Sequence, residues 1–165
     1  SLYIMNNELI QQFAHTWRTF DAIVSDFDTN AWLHTGRGVI TPARLSLHLL
    51  QSIQYYIEDD TFSAFASGRD FHQNWETMSD EELPSKDDIR AAIHDLRGLT
   101  ENWLRNVELQ SVNTTFDWAG KTKMGVVIFI LRHFVYHMGE LSSLLNESWN
   151  GKANDNFKNT VSLVS

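Results

Sequence analysis

The sequence predicts an all-α fold in which four amphipathic helices form a four-helix bundle. Four segments repeat apolar residues at intervals of three or four positions, the period of one face of an α-helix. No alternating β-branched run is long enough to indicate a sheet. Two prolines and eight glycines, without low-complexity sequence, leave no recognisable linker between domains. We therefore expect residues 1–165 to form a single domain.

The first predicted helix lies between Asn7 and Phe27, and the second begins at Thr41. Thr41 is suited to cap that helix, and Pro42 takes the first helical position, where its missing N–H is harmless. The second helix is expected to continue to about Glu58. The apolar stripes consist of Leu9, Phe13, Trp17, Phe20, Val24 and Phe27 in the first helix, and of Leu45, Leu49, Ile53, Tyr56 and Ile57 in the second.

A long irregular connection, residues 58–84, precedes the third helix, which is expected to begin at Ser85. Ser85 and Asp88 occupy the positions of a capping box. Thr122 is expected to cap the fourth helix, and Asn150-Gly151 to end it. The stripes of these helices consist of Ile89, Ile93, Leu96, Leu99 and Trp103, and of Val126, Val127, Ile130, Phe134, Leu141, Leu144 and Leu145.

Composition and charge narrow the classes of function. Lys and Arg number 13 against 21 Asp and Glu, a net charge of −8 that disfavours nucleic acid or an anionic membrane as partner. No uninterrupted apolar stretch reaches the roughly 18 residues of a membrane span, and the first residues do not resemble a signal peptide. A soluble, cytoplasmic protein is expected. Cysteine is absent from the sequence, so any metal site must use nitrogen and oxygen ligands.

Three of the seven histidines are placed to meet inside the predicted bundle. His133 and His137 are four positions apart on the fourth helix, which places one above the other at its apolar face. His48 lies at the edge of the apolar face of the second helix, and facing helices of bundles often supply metal ligands. The pattern lacks the glutamate that makes an HExxH motif diagnostic. The residues alone therefore leave open a metal site or interior histidines satisfied by hydrogen bonds.

The remaining histidines have a less informative sequence context. His15 and His94 lie opposite the apolar stripes of their helices, so we expect both to be exposed to solvent. His34 and His72 fall in predicted loops, where the sequence indicates no partner for either.

A wider pattern surrounds the three interior histidines. Trp32 lies in a connecting segment, Thr41-Pro42 opens a helix, and His48 precedes Leu49-Leu50. The fourth helix then carries Arg132-His133, His137-Met138-Gly139-Glu140-Leu141 and Leu144-Leu145. This arrangement resembles the DinB/YfiT-like family, whose typical members read H-x-x-x-H-[RH]-G-[QE]-[LI] in the last helix. Met138 stands where Arg is frequent, and Tyr136 where a second histidine is frequent; both departures leave the three histidines intact.

The resemblance implies a four-helix bundle of DinB/YfiT-like type spanning nearly the whole chain. It implies a divalent metal ion, zinc, nickel, iron or manganese, held by His48, His133 and His137 with coordination positions left open. Relatives include transferases that use low-molecular-weight thiols such as bacillithiol or mycothiol, an isomerase that uses such a thiol, and a metal-dependent hydrolase. Glu140 is then a candidate hydrogen-bond acceptor beside the ligands, or a general base.

Three functions of different classes fit these residues. We favour a metal-dependent enzyme that transfers a low-molecular-weight thiol to a small electrophile, with hydrolysis by metal-bound water as the alternative reaction. The substrate is expected to be partly apolar, because Trp32, Tyr55 and Trp118 are available to line a pocket and no Arg/Lys clamp for a phosphate is evident. Ser52 and Tyr55 are weaker candidates for the site. The other two functions are a non-catalytic metal-binding stress-response protein and a structural module with core histidines.

Large apolar residues outside the four stripes predict a homodimer. Six Trp and ten Phe are more than a small bundle interior requires, and exposed apolar patches usually mark contacts. Homodimers are also common in the family that the sequence resembles. The residues concerned are Phe62, Phe65, Phe71, Trp75, Phe116 and Trp118.

Overall fold

The computed structural model describes residues 2–57 and 73–162. The α-helices in these ranges are α1 Leu2–Asp26, α2 Thr29–His34, α3 Pro42–Ile57, α4 Lys86–Asn106, α5 Lys123–Ser148 and α6 Asn156–Asn159. Two short 3₁₀-helices, Asp80–Glu82 and Asp117–Ala119, precede α4 and α5. Within the described ranges the only β-type pairing consists of two isolated bridges. The predicted all-α class is confirmed.

The four long helices, α1, α3, α4 and α5, enclose the core. Helix α1 packs against α4 and α5, and α3 packs against the same two helices. Their apolar stripes meet in the middle, where Trp17 and Phe20 of α1 contact Phe134 of α5 with ring centroids 4.8 and 5.9 Å apart. The contact between α3 and α5 brings together the helices that carry the three interior histidines.

The ends of α4 and α5 form as the sequence predicts. Ser85 Oγ accepts a hydrogen bond from the N–H of Asp88, and the Asp88 carboxylate accepts one from the N–H of Ser85, each at 3.1 Å. Thr122 Oγ1 accepts a hydrogen bond from the N–H of Gly125 at 3.4 Å. After α5 the chain turns at Asn150 and Gly151, whose φ angles are 54° and 86°.

The start of α3 differs from the prediction in one respect. The helix begins at Pro42, and the carbonyl of Thr41 accepts the first helical hydrogen bond, from Leu45 at 2.9 Å. Thr41 Oγ1 is buried and has no hydrogen-bond partner among the described residues. The fixed φ of Pro42 and the Thr41 carbonyl therefore start α3, and the predicted side-chain cap is wrong.

Helix α2 lies in a segment predicted to be a connection, and His34 is its last residue, so the prediction that His34 lies in a loop is wrong. Asp28 caps it, since its Oδ1 accepts a hydrogen bond from the N–H of Ala31 at 2.7 Å. The helix buries Trp32, whose Nε1 donates to the carbonyl oxygen of Pro84 at 3.0 Å. Trp32 is therefore a core residue that ties α2 to the segment before α4.

The C-terminal segment explains why the prediction for His15 is wrong. His15 is buried, and its Nε2 lies 2.9 Å from the carbonyl oxygen of Phe157 in α6. Because α6 packs against α1, it covers a helix face that the apolar stripe of α1 leaves polar. His94, on the outer face of α4, is exposed as predicted.

Helix α5 is the one helix in the described ranges that is long and apolar enough to cross a membrane by length and composition. Core helices of soluble proteins meet the same criterion. Val127, Ile130, Phe134 and Leu141 of α5 are buried against the other helices. This core position accounts for part of the apolar composition of α5, whereas Ile128, Val135 and Tyr136 of the same helix are exposed.

The aromatic residues on which the dimer prediction depends are only partly described. Phe62, Phe65 and Phe71 lie outside the described residues, as does His72. Phe116 is buried and Trp118 is 59% exposed, and the two rings lie 5.7 Å apart.

Candidate metal centre

Three histidines from two helices meet at one point. His48 lies in the second turn of α3, and His133 and His137 lie one turn apart in the middle of α5. Nε2 of His137 is 3.2 Å from Nε2 of His48 and 3.0 Å from Nε2 of His133. One ring nitrogen of each residue lies within 4.8 Å of the other two, and the side chains are partly buried. The three histidines that the sequence singles out therefore form one cluster.

The spacing of these nitrogen atoms suits a small divalent ion. Metal–nitrogen bonds of about 2.0–2.1 Å at tetrahedral angles place two ligand nitrogens about 3.3 Å apart. The separations of 3.0 and 3.2 Å lie close to this value. The cluster could therefore hold a metal ion after small ring movements, and three protein ligands leave at least one coordination position open.

Glu140 determines which nitrogen of His137 carries a proton. Nδ1 of His137 lies 2.6 Å from Oε1 of Glu140, which is three positions later on α5. An ionised carboxylate only accepts hydrogen bonds, so Nδ1 donates to Glu140, and Nε2 of His137 is the ring nitrogen that faces the other two histidines.

This arrangement bears on the two interpretations that the sequence leaves open. Nε2 of His137 carries either one proton or one lone pair, so it makes one well-aligned hydrogen bond, whereas His48 and His133 both approach it within 3.2 Å. A hydrogen-bonded cluster would leave one of these contacts unsatisfied. A metal ion would use the lone pairs of all three rings, and a carboxylate behind a ligating histidine is typical of metal sites. The donor set fits a divalent ion.

The electrostatic environment keeps two of the rings neutral. Burial, followed by the neighbouring His137 and His133, lowers the pKa of His48 from 6.5 to about 4. Burial and then His137 lower the pKa of His133 to about 4, although Glu140 acts in the opposite direction. Near neutral pH both rings are in the unprotonated form that binds metal.

Two aromatic residues flank the cluster. The ring of Trp75 lies 4.4 Å from the ring of His48, with an angle of 34° between the planes. The ring of Tyr136 lies 5.1 Å from the ring of His137, and Tyr136 is 68% exposed. Neither residue is among those that the sequence predicts for the site. The position of Tyr136 beside His137 is a usable signal, but no local pattern links Trp75 to α3.

The aromatic residues predicted to line a pocket lie in other surroundings. Trp32 is 2% exposed, so it does not line an open pocket, and that prediction is wrong. The ring of Tyr55 contacts the rings of Tyr56 and Phe116, at 5.3 and 5.4 Å. Trp118 donates a hydrogen bond from Nε1 to the hydroxyl oxygen of Tyr56 at 2.9 Å. Tyr55 and Trp118 therefore belong to one aromatic group at the C-terminal end of α3.

Neither Ser52 nor the groove between α1 and α4 adds a residue to the cluster. Ser52 is partly buried, and its side chain makes no hydrogen bond with any residue in ranges 2–57 and 73–162. The groove, of about 360 Å³, is lined by Trp17 and Arg97 among others and by none of the three histidines. Among the residues that the structure describes, the candidate site therefore consists of the histidine cluster and Glu140, which is hydrogen-bonded to His137.

Comparison of the chain with known protein families, curated proteins and solved structures finds no match. The resemblance to the DinB/YfiT-like family therefore depends on the sequence pattern around the three histidines, and membership stays a prediction.

Proposed function

We propose that the chain is a divalent-metal-dependent enzyme of DinB/YfiT-like type, in which His48, His133 and His137 are the metal ligands. The observation that carries the proposal is the convergence of three Nε2 atoms, with Glu140 fixing the tautomer of His137. The packing of α1, α3, α4 and α5 in a closed ring of contacts supports a four-helix bundle of that type. Zinc, nickel, iron and manganese are the candidate ions.

The proposed reaction is transfer of a low-molecular-weight thiol to a small electrophile. An ion held by neutral imidazoles keeps its full charge and supplies a Lewis acid that lowers the pKa of a thiol or water molecule. Because the sequence contains no cysteine, a thiol nucleophile must be a co-substrate. Glu140 holds the ring of His137 through Nδ1, and its carboxylate is 32% exposed, so it is also available to receive a proton.

The surroundings of the cluster favour a partly apolar substrate. Trp75 and Tyr136 place aromatic rings against two of the histidines. The charged group hydrogen-bonded to the cluster, Glu140, is negative and engaged with His137. A phosphorylated substrate would require a cationic clamp, whereas aromatic surface suits a small apolar electrophile. We further propose that the protein is a cytoplasmic homodimer. The sequence has more large apolar residues than a small bundle interior requires, and homodimers are common in the family that it resembles.

Metal analysis tests the first half of the proposal. Protein purified without an affinity tag is expected to contain about one divalent ion per chain, because the described residues include one cluster of three histidines. The matched control is His94→Ala, which removes an exposed histidine and should leave the metal content unchanged. Absence of stoichiometric metal after incubation with Zn²⁺ or Ni²⁺ would overturn the proposal.

A turnover assay tests the second half. Metal-loaded protein is offered a monohalobimane as electrophile, with bacillithiol, mycothiol, glutathione, coenzyme A or water alone as nucleophile. A metal-dependent rate that requires one of the thiols supports the proposed transfer. A metal-dependent rate with water alone favours hydrolysis, and the absence of any metal-dependent rate favours a non-catalytic metal-binding protein.

A further inference from the structure

The three clustered rings are oriented by different means. His137 donates from Nδ1 to Glu140. No hydrogen bond joins Nδ1 of His48 or His133 to any residue that the structure describes. Ligating histidines are usually fixed through the ring nitrogen that does not bind the metal. Apart from its contacts with His133 and His137, the orientation of His48 therefore depends on a contact that is not a hydrogen bond to Nδ1.

Trp75 makes that contact. Its ring centroid lies 4.4 Å from that of His48, at an interplanar angle of 34°. Trp75 is partly buried and packs against the apolar core, which restricts the movement of its ring. An aromatic face at this distance restricts the tilt of an imidazole without providing a polar partner.

Arg44 attaches the backbone of Trp75 to α3. Its Nη1 donates to the carbonyl oxygen of Trp75 at 2.9 Å, and its Nη2 donates to Oδ1 of Asp80 at 3.0 Å. Arg44 is only 9% exposed. It precedes His48 by four positions, which places both side chains on one face of α3. The rigid fork of a guanidinium can reach a carbonyl and a carboxylate simultaneously, which the single ammonium of lysine does less well.

We propose that Arg44 and Trp75 are positioning residues for His48: Arg44 fixes Trp75, and the ring of Trp75 sets the orientation of the His48 imidazole. The consequence for metal binding rests on the proposed function, whereas the consequence for the orientation of the His48 ring does not. Arg44 and Trp75 would then act on His48 as Glu140 acts on His137, with an aromatic face in place of a carboxylate.

The experiment compares Trp75→Ala, Trp75→Phe and Arg44→Lys with wild-type protein, using Zn²⁺ and Ni²⁺ titrations by calorimetry. We expect Trp75→Ala and Arg44→Lys to lose about 10- to 100-fold in affinity, the range for outer contacts of metal ligands. Trp75→Phe keeps an aromatic face and is expected to stay within about threefold of wild type. The matched controls are Trp118→Ala, which removes an exposed tryptophan, and Arg90→Lys, which alters an exposed pair with Asp21.

A second measurement uses the metal-free protein. In ¹H–¹⁵N spectra of the imidazoles, Trp75→Ala and Arg44→Lys should shift the ring resonances of His48 far more than those of His133, because the ring current of Trp75 acts on His48. Wild-type affinity together with unchanged His48 resonances in Arg44→Lys would overturn the proposal, and circular dichroism verifies that this milder variant is folded. If wild-type protein binds neither ion, the proposed function fails, and the spectra alone then decide whether Arg44 and Trp75 orient His48.

Discussion

Replacement of Glu140 separates two contributions of its carboxylate to the proposed metal centre. Oε1 of Glu140 lies 2.6 Å from Nδ1 of His137, a short and charge-assisted hydrogen bond. Glu140→Gln keeps an acceptor oxygen but removes the charge, whereas Glu140→Ala removes both. We therefore expect the glutamine variant to lose about tenfold in Zn²⁺ affinity and the alanine variant about 100-fold, which corresponds to about 1.4 and 2.7 kcal/mol.

The assay is competition with a chromophoric chelator at fixed pH and ionic strength. The matched control is Glu147→Gln, the same substitution at an exposed position of the same helix, which should leave the affinity unchanged. Circular dichroism should show equal helix content in all variants. Wild-type affinity in Glu140→Ala would refute the reasoning, because the carboxylate would then neither fix the tautomer of His137 nor increase its basicity.

Three further outcomes are expected. His137→Ala should abolish stoichiometric metal uptake while keeping the helical circular dichroism, because its Nε2 contacts both other rings; wild-type metal content in this variant would contradict the ligand assignment. The free energy of unfolding of the metal-free protein should fall as the pH drops from about 6.5 to about 4. The reason is that His48 and His133 have pKa values of about 4 in the folded state and take up protons more readily when unfolded. In urea denaturation, the variant with glutamine at both positions should show a smaller change in the free energy of unfolding over this pH range. Ser85→Ala should lower the free energy of unfolding by about 1 kcal/mol in urea titrations, because it removes the capping oxygen of α4, and an unchanged denaturation midpoint would argue against that contribution.

Local sequence patterns predict most of the helices of the fold. The apolar stripes identify α1, α3, α4 and α5, because the apolar face of a helix must be buried. The short helices α2 and α6 have too few turns to show a helical period, so the sequence does not reveal them. His15 shows the same limit in another form: the stripe of α1 identifies its apolar face, but only the tertiary structure shows that α6 covers the polar one.

Part of the candidate site is likewise predictable from local sequence, and part depends on the tertiary structure. The spacing of His133 and His137 on one helix is a local property and is visible in the sequence. Their contact with His48 requires the packing of α3 against α5, which the bundle prediction and the family resemblance supply. The contact of Trp75 with His48 depends on how a non-helical segment folds back on α3, and no periodic pattern encodes it.

The position of the histidine cluster along the chain has a consequence for stability. His48 and His137 are 89 residues apart in sequence, so an ion that binds both would close a loop of more than half the chain. This is the role of a disulfide in other small proteins, in a sequence that has no cysteine with which to form one. For a permanent cross-link of this span the chain-entropy model gives about 4 to 5 kcal/mol. The bound ion would then be a reversible cross-link that stabilises the folded chain. A cell depleted of the ion would lose folded protein as well as the proposed activity.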